Sequence, residues 1–427
     1  MTFRGKLNCQ KKRILCIILI FAFAFVVYLI IDYKGPKSIV LRNDTTFGLE
    51  CFRARDLIVQ EYDSSGNLWA TRGMIIYCLK KDGSRFDRIA HIPTGCTIYW
   101  LRNFSIIRKL TIRPECVELA VTGKGDFYAL SAGRLWLMNK GRRKFTELFK
   151  LLHYGLGDQG IRNTGILNYD DSTIYLGEYF ENKKRDAVKI YKYSNKSDSV
   201  IVAYQFPPGN IRHIHSIQKD PFTGKTWTST GDSDEESMIA WSDDGFKTIH
   251  ELSAGSQLYR VCQLVFTEEA ILWGTDTGSE NEAGIYRWDK ESDECKKLQT
   301  VDGAVFFGTR LKNGTVVLST DREGLKSEKD DKTRLFIIAE ENKIAEIECG
   351  SWKHKKPGFW FKYSLLRLQR NQGSASLAVT CLNQKELPDS ELIIISEETL
   401  LSAAKQYLTV PESYVNIKNL EDLYAGE

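Results

Sequence analysis

The protein has 427 residues, of which 59 are Lys or Arg and 55 are Asp or Glu, giving a formal net charge of +4. Five of the basic residues precede residue 14, so the remainder has 54 basic and 55 acidic residues and is nearly neutral. A neutral chain without a basic run excludes nucleic acid as an expected partner. The length predicts several domains or one large repetitive domain.

The first element is an apolar run at residues 14–31 without charge, proline or glycine. As a helix it would span about 27 Å, close to the hydrocarbon thickness of a bilayer. The basic leader at residues 1–13 predicts a cytoplasmic N-terminus. We therefore expect a transmembrane anchor at 14–31 in contact with the lipid bilayer, a linker at 32–50, and a large domain in the periplasm, at the cell surface or in a secretory lumen.

A short motif then recurs seven times: a turn, followed by an apolar strand with an aromatic or aliphatic residue at its centre. The central residues, spaced 44 to 60 residues apart, are Trp69, Tyr128, Tyr175, Trp227, Trp273, Val317 and Leu377. This period, rich in short strands, is typical of propeller blades. It predicts an all-β β-propeller at residues 51–410, with seven blades favoured and six as the alternative, and a C-terminal tail at 411–427.

Eight cysteines lie beyond the predicted anchor. An oxidising compartment would permit disulfides between them, although the sequence does not give the pairing. The alternative is that several are small buried apolar residues. Both alternatives stay open at this point.

Propeller geometry indicates where a ligand would bind. The start of each first strand and the end of each second strand meet at one rim of the central channel, and such concave mouths are default ligand sites. Glu178, His213, His215 and Asp232 are the catalytic candidates at this rim. The candidate substrate-binding residues there are Arg162, Asn163, Gln257, Tyr259, Arg260 and Asp276.

The two histidines are two positions apart on a strand, so both rings leave the same face. They could chelate a divalent metal ion together with Glu178, Asp232 or Gln257. They could instead act as a general base and its partner, because histidine titrates near neutral pH. The third alternative is a pair of histidines that are hydrogen-bonded to neighbouring blades.

The middle of the chain resembles the sialidase-like (Asp-box repeat) propeller proteins, in particular a membrane-anchored branch. The segments that carry the resemblance are Gly177–Tyr179, Arg212–Pro221, Thr230–Asp232, Ser242–Thr248, Gly255–Arg260 and Trp273–Thr277. Ser242–Thr248 matches the Asp-box pattern S-x-D-x-G-x-T, which is structural. The resemblance implies a propeller linked to surface glycans, and the histidine-rich channel is also similar to that of propeller polysaccharide lyases.

True sialidase activity is not expected. The F-R-I-P motif of sialidases is missing from the sequence. Sialidases also clamp a carboxylate with three arginines, whereas strand alternation predicts that Arg212 and His213 point in opposite directions.

The leading hypothesis is a membrane-anchored propeller that binds an acidic saccharide at the channel mouth and cleaves or modifies it, as a glycosidase, lyase or epimerase would. Arg162 and Arg260 would pair with the acidic group of the saccharide. Glu178 and Asp232 would transfer protons, and the two histidines would be bases or metal ligands. The alternative is a non-catalytic glycan- or protein-binding module that uses the same face.

Overall fold

The computed structural model describes most of the chain. The described residues are 19–20, 22–24, 26–93, 101–110, 117–142, 144–153, 165–278, 283–339, 343–353, 362–405 and 415–417. The predicted leader, the first five residues of the predicted anchor, most of the predicted tail, Arg162 and Asn163 lie outside these residues.

Six groups of four consecutive strands each form one antiparallel blade. Strands β1 (Ser38–Val40), β2 (Arg42–Thr46) and β3 (Leu49–Ala54) precede them. The six blades are β4 (Ile58–Tyr62), β5 (Leu68–Arg72), β6 (Ile75–Leu79) and β7 (Arg85–His91); β8 (Glu118–Val121), β9 (Phe127–Ser131), β10 (Arg134–Met138) and β11 (Thr146–Lys150); β12 (Ile166–Asn168), β13 (Thr173–Gly177), β14 (Val188–Ser194) and β15 (Ser199–Phe206); β16 (His213–Lys219), β17 (Thr226–Gly231), β18 (Met238–Ser242) and β19 (His250–Ala254); β20 (Val261–Phe266), β21 (Ala270–Thr275), β22 (Gly284–Asp289) and β23 (Cys295–Thr300); and β24 (Val305–Arg310), β25 (Val316–Thr320), β26 (Lys332–Ile338) and β27 (Ile344–Ser351).

The seventh blade combines the two ends of the chain. It contains β28 (Leu365–Leu368), β29 (Ser376–Leu382) and β30 (Glu391–Ser396) from the C-terminal part, with β3 and β2 added outside β30. Apart from the N-terminal helix, the described residues contain few helical segments: Ser105–Leu110, Glu397–Ala404, and the short 3-10 turns Asp234–Glu236 and Gln257–Tyr259. The all-β propeller prediction is confirmed, and its blade number is seven.

The repeat motif correctly located the second strand of every blade. Each of the seven central residues lies in β5, β9, β13, β17, β21, β25 or β29. These side chains fill the space between neighbouring blades: the ring centroids of Trp69 and Phe127, from the first and second blades, are 4.7 Å apart. Burial of one large apolar side chain of this kind contributes about 1.5–3 kcal/mol. The periodic pattern therefore marks the blade-to-blade packing surface.

Three predicted boundaries differ from the structure. The segment 32–50 is more than a linker, since β1 extends the first blade along β7 and β2 pairs with β3. Three residues of the predicted tail, Val415–Ile417, pair with β23. The candidates Gln257, Tyr259 and Arg260 were expected at the start of a first strand, but the first strand of the fifth blade begins at Val261. The residues before it form a 3-10 turn, in which Ser256 accepts a hydrogen bond from the Leu258 amide at 3.2 Å.

Side chains from the seventh blade fill the central channel. The fully buried Arg367 on β28 donates to both carboxylate oxygens of Glu118 in the second blade, at 3.1 and 3.0 Å. Below β28, residues 369–374 cross the channel, and Arg370 donates to Glu61 and to the Leu119 carbonyl. We call these residues the channel plug. They separate the two faces of the disc.

The described residues between 19 and 34 are helical, and the helix ends at residue 34. Most of its apolar side chains are exposed, among them Phe23 at 72% and Ile31 at 64%. Within the described residues, none of the helices combines the length and the apolar character that a membrane crossing needs.

Six of the eight cysteines beyond the predicted anchor are described, and all six are free thiols. Five are buried, and Cys78, Cys349 and Cys381 lie within hydrophobic clusters. For the five buried cysteines, the alternative of buried apolar residues is therefore correct. Cys96 and Cys116 lie outside the described residues.

Candidate functional site

The predicted site lies on the face of the disc where first strands begin and second strands end, which we call the upper face. His213 is the first residue of β16, the innermost strand of the fourth blade, and Asp232 follows the last residue of β17. Val261, at the start of the fifth blade, is hydrogen-bonded to both β16 and β17 side chains. The site therefore lies between the third, fourth and fifth blades near the channel axis.

His213 and His215 face each other across a short gap. Their Nε2 atoms are 3.1 Å apart, and their rings are buried, with 4% and 0% exposed. In the pairing with β17, Ile214 opposes Thr230 and Ser216 opposes Ser229, so His215 is the extra residue of a bulge. The bulge helps to direct His215 toward its neighbour.

Backbone carbonyl groups fix the proton position on both rings. His213 Nδ1 lies 3.1 Å from the Phe180 carbonyl, and His215 Nδ1 lies 3.2 Å from the Val261 carbonyl. A carbonyl oxygen can only accept, so each Nδ1 must carry the proton. Both Nε2 atoms of the neutral rings then present lone pairs to one another. This arrangement requires a cation or an extra proton between them.

Asp232 supplies a third ligand atom at the same point. Its Oδ1 lies 3.4 Å from His213 Nε2 and 3.5 Å from His215 Nε2. Burial by itself raises the pKa of Asp232, but hydrogen bonds and charge interactions with the two histidines, when these carry the extra proton, hold it well below the usual range. The carboxylate is therefore ionised at neutral pH, which suits a metal ligand better than a general acid.

Two arginines surround Asp232 on the accessible side. Arg212 donates to Asp232 Oδ2 at 3.0 Å, and Arg260 approaches Oδ1 at 3.5 Å. Arg260 also approaches Asp276 Oδ2 at 3.5 Å. Gln257 donates to the Asp232 carbonyl at 3.2 Å. The structure thus brings Gln257, Arg260 and Asp276 to the histidine pair, as predicted.

The expectation that Arg212 and His213 diverge is wrong, because both contact the carboxylate of Asp232. The physical reason is that β16 begins at His213, so the alternation of a strand does not extend to Arg212.

A second group of ligand atoms adjoins the first through His215. Cys262 Sγ donates to Asp276 Oδ2 at 3.2 Å and lies 3.9 Å from His215 Nδ1. These three residues are all buried, and their ligand atoms lie within 4.8 Å of one another, as do those of His213, His215 and Asp232. Because the Val261 carbonyl already engages His215 Nδ1, the group that includes Asp232 is the better metal candidate.

Two predicted residues are placed elsewhere. The carboxylate of Glu178 accepts from the Tyr191 hydroxyl at 2.9 Å and from the Lys189 amide at 2.8 Å, both on β14. It points into its own blade and away from the histidines. Tyr259 is buried in the apolar cluster between the fourth and fifth blades, where burial raises its pKa. Neither side chain joins the cluster at Asp232.

The sequence reasoning missed Tyr179, Glu236 and Cys262. The Tyr179 ring packs on the His213 ring with 4.1 Å between centroids. Glu178 points toward β14, and strand alternation then directs Tyr179 to the opposite side, but the direction of Glu178 comes from the structure and not from the sequence. Buried Glu236 accepts from the Asp232 amide at 3.2 Å and shapes the loop that carries the carboxylate. No sequence signal pointed to Glu236.

The comparisons with known proteins support the fold. No family model and no curated protein sequence matches the chain. Among solved structures, the oligogalacturonate lyase from Vibrio parahaemolyticus is 10% identical, with a TM-score of 0.56 over 85% of this chain and 99% of the lyase. An oligogalacturonate lyase in complex with manganese is 11% identical, with a TM-score of 0.57 and the same coverage. At these identities the similarity establishes a shared propeller fold.

Proposed function

We propose that the protein binds an acidic saccharide at the upper face through a divalent metal ion held by His213, His215 and Asp232, and that it cleaves or modifies this saccharide. The observation that carries the proposal is the pair of Nε2 atoms that face one another with both Nδ1 atoms engaged by carbonyls. Metal-ligating histidines characteristically donate their other ring proton in this way. The manganese complex of a structurally similar lyase makes such an ion plausible chemistry for this fold.

The charges around the site favour an anionic ligand only when a cation is bound. Three carboxylates and three arginines adjoin the histidines and balance one another: Asp232, Glu236, Asp276, Arg185, Arg212 and Arg260. A divalent ion makes the group net positive, so that a uronate carboxylate is attracted and its developing charge is neutralised. Arg212 and Arg260, with 30% and 23% of their side chains exposed, are the groups that the saccharide meets first.

The distribution of roles differs from the sequence-based hypothesis. Ionised Asp232 would hold the cation and orient both arginines. Glu178 has no contact with the described cluster and would serve to fix β13 to β14. Tyr179 would cover the His213 ring and limit the entry of water.

Metal analysis of the full-length protein tests the proposal. We expect about one equivalent of bound Mn²⁺ or Zn²⁺ by elemental analysis and calorimetry, lost in His213→Ala and in His215→Ala. His250→Ala is the matched control, because His250 is exposed on β19 of the same blade and stacks on Trp241. Full metal binding by a protein that carries both His213→Ala and His215→Ala would contradict the proposed site.

Turnover separates an enzyme from a binding module. Oligogalacturonate is the first probe, because the structurally similar proteins are lyases for it. An eliminase produces a new conjugated double bond that is detected by ultraviolet absorbance, whereas a hydrolase produces reducing ends alone. The nearly complete burial of both histidine rings favours the second candidate, a non-catalytic binding module. Metal-dependent binding without either product would support that candidate.

We also propose that residues 14–31 anchor the protein in a membrane with the propeller outside the cytoplasm. The uninterrupted apolar run and the basic leader support this topology. Protease added outside sealed vesicles should digest the propeller and spare the leader. Protection of the propeller would reverse the proposed orientation.

A further inference from the structure

The helix that leads out of the predicted anchor is firmly attached to the propeller. Asp32, only 7% exposed, accepts a hydrogen bond from Arg72 at 2.5 Å on Oδ1. Its Oδ2 accepts from the amide and the hydroxyl of Ser105, at 2.6 and 2.9 Å. Arg72 is held in place by Asp56 at 2.8 Å, which also pairs with Arg108. This buried ion network fixes the end of the helix.

The residues after Asp32 are also attached, so no free segment separates helix and disc. The Tyr33 ring packs against His91 and Phe104, with centroid distances of 5.5 and 5.8 Å. The Lys34 carbonyl accepts from Arg88 at 2.7 Å, and the Pro36 carbonyl accepts from the Tyr77 hydroxyl at 2.8 Å. The contacts begin within the last turn of the apolar run, where the Tyr28 hydroxyl lies 3.3 Å from the Ser105 hydroxyl.

The attachment is on the upper face, the same face as the histidine site. Arg72 is the last residue of β5, and Gly231 is the last residue of β17, which is the equivalent second strand of the fourth blade. The direction of β1 agrees: Ser38 pairs with Asp87 and Val40 with Arg85 at the lower end of β7, so the chain that precedes Ser38 lies toward the upper face. Helix and site therefore share one side of the disc.

The helix leaves this face and does not pack along the edge of the disc. Six large apolar side chains of the helix are exposed: Leu19 at 59%, Ile20 at 66%, Phe23 at 72%, Val26 at 51%, Ile30 at 50% and Ile31 at 64%. Large apolar side chains left exposed on a helix match a lipid environment. Toward the opposite face the channel holds the channel plug, in which Arg370 contacts the first, second and third blades.

We infer that the upper face is turned toward the membrane that holds the helix, and that the saccharide bound there is carried on that membrane. The inference rests on the proposed anchor and on the proposed saccharide site. A polymer chain attached to a lipid or to the nearby surface would enter the space between bilayer and disc. A free saccharide would gain access only by the same narrow route, at a lower effective concentration.

Fluorescence energy transfer between the protein and lipid headgroups tests which face of the disc is turned toward the membrane. The measurement does not require binding or turnover of a saccharide. One fluorophore is attached through Glu235→Cys, an exposed position in the loop that follows Asp232, and another through Lys124→Cys, an exposed position in a hairpin on the lower face. Full-length protein is reconstituted into phosphatidylcholine vesicles that contain a headgroup-labelled acceptor lipid. The two faces are roughly 20 Å apart, the length of a six-residue strand. Protein without an added cysteine gives the background labelling.

We expect distinctly stronger transfer from position 235 than from position 124. Equal transfer, or stronger transfer from position 124, would overturn the orientation. Asp32→Asn, which weakens the attachment to Arg72, should reduce the difference between the two positions.

Saccharide presentation is tested separately. Oligogalacturonate coupled to a lipid in the same vesicles should bind or react at least about tenfold better per mole than free oligogalacturonate. Equal binding or reaction of the lipid-coupled and the free oligogalacturonate would contradict the inference that the saccharide is carried on the membrane. If the transfer result holds and neither form binds, the orientation stands and the proposed saccharide function fails.

Discussion

At the residue scale, the site depends on how closely the backbone of β17 approaches His215. A Cβ atom at Gly231 would lie 2.7 Å from His215 Cε1 and 3.0 Å from Arg260 Cγ. Such a contact is too short to persist, so glycine at this position is what allows the histidine to reach Asp232. The φ angle of Gly231 is one that other residues adopt. A larger residue is therefore excluded at this position by the short contacts of its Cβ atom and not by backbone strain.

Gly231→Ala should therefore displace the His215 ring and weaken metal binding by about 10- to 100-fold, the usual effect of losing a supporting contact. Calorimetric titration with Mn²⁺ or Zn²⁺ measures the change. Gly278→Ala is the matched control, because the nearest atom to its Cβ would be Leu325 Cβ at an ordinary 3.5 Å. Equal affinities of the two variants would show that this close approach does not position His215.

The buried cysteines give a second prediction at this scale. Burial raises the pKa of the Cys78 thiol to about 12 from an ordinary value of 9.0. Because the thiolate is the reactive form, a raised pKa leaves roughly a thousandfold less of it at pH 8. Alkylation of Cys78 in the folded protein, followed by peptide mass spectrometry, should be slower than in denaturant by at least that factor. Rapid labelling without denaturant would contradict the burial.

At the element scale, β28 determines what the central channel contains. Arg367 is 1% exposed, and its partner Glu118 is 5% exposed. Arg367 also donates to the Val59 carbonyl at 3.1 Å, so that one side chain connects the seventh, first and second blades. A buried pair of this kind has a large desolvation cost, and its loss leaves a charge without a partner.

Arg367→Met should lower the free energy of unfolding by about 3–5 kcal/mol, because it leaves Glu118 buried and charged. The double variant Arg367→Met with Glu118→Leu should recover most of that loss. Chemical denaturation of the single and double variants measures the coupling. Additive effects would mean that the pair makes no specific contribution.

At the scale of the whole molecule, the two chain ends close the ring. Strand β3 pairs with β30 over Phe52–Ala54, and Arg53 donates to the buried Glu391 at 3.0 Å. Arg42 pairs with the same carboxylate at 3.0 Å. The seventh blade is incomplete without residues that precede the predicted propeller boundary at residue 51.

A shortened protein that begins at Lys37 should fold, whereas one that begins at Asp56 should lose at least about 3 kcal/mol of stability or fail to fold. The second lacks β2 and β3 and leaves Glu391 buried without a cationic partner. Thermal unfolding of both proteins under the same conditions is the measurement. Indistinguishable melting curves would show that ring closure does not depend on β3.

The fold class and all seven second strands followed from the sequence by itself, which favoured seven blades and left six as the alternative. Turn residues and apolar strands recur locally, and each repeat encodes its own hairpins, so the pattern does not depend on distant contacts. The proximity of His213, His215, Asp232, Arg260 and Asp276 followed in turn from the antiparallel order of the strands.

Only the tertiary structure decided which side chains face the site and which strands close the ring of blades. Glu178 turns to Tyr191 while its neighbour Tyr179 turns to His213, and these directions are set by contacts at the irregular end of a strand. The pairing of β3 with β30, the bond between Arg367 and Glu118, and the attachment of Asp32 to Arg72 join residues 40 to more than 300 positions apart. No local periodicity records such contacts, because they exist only once the blades have assembled into a ring.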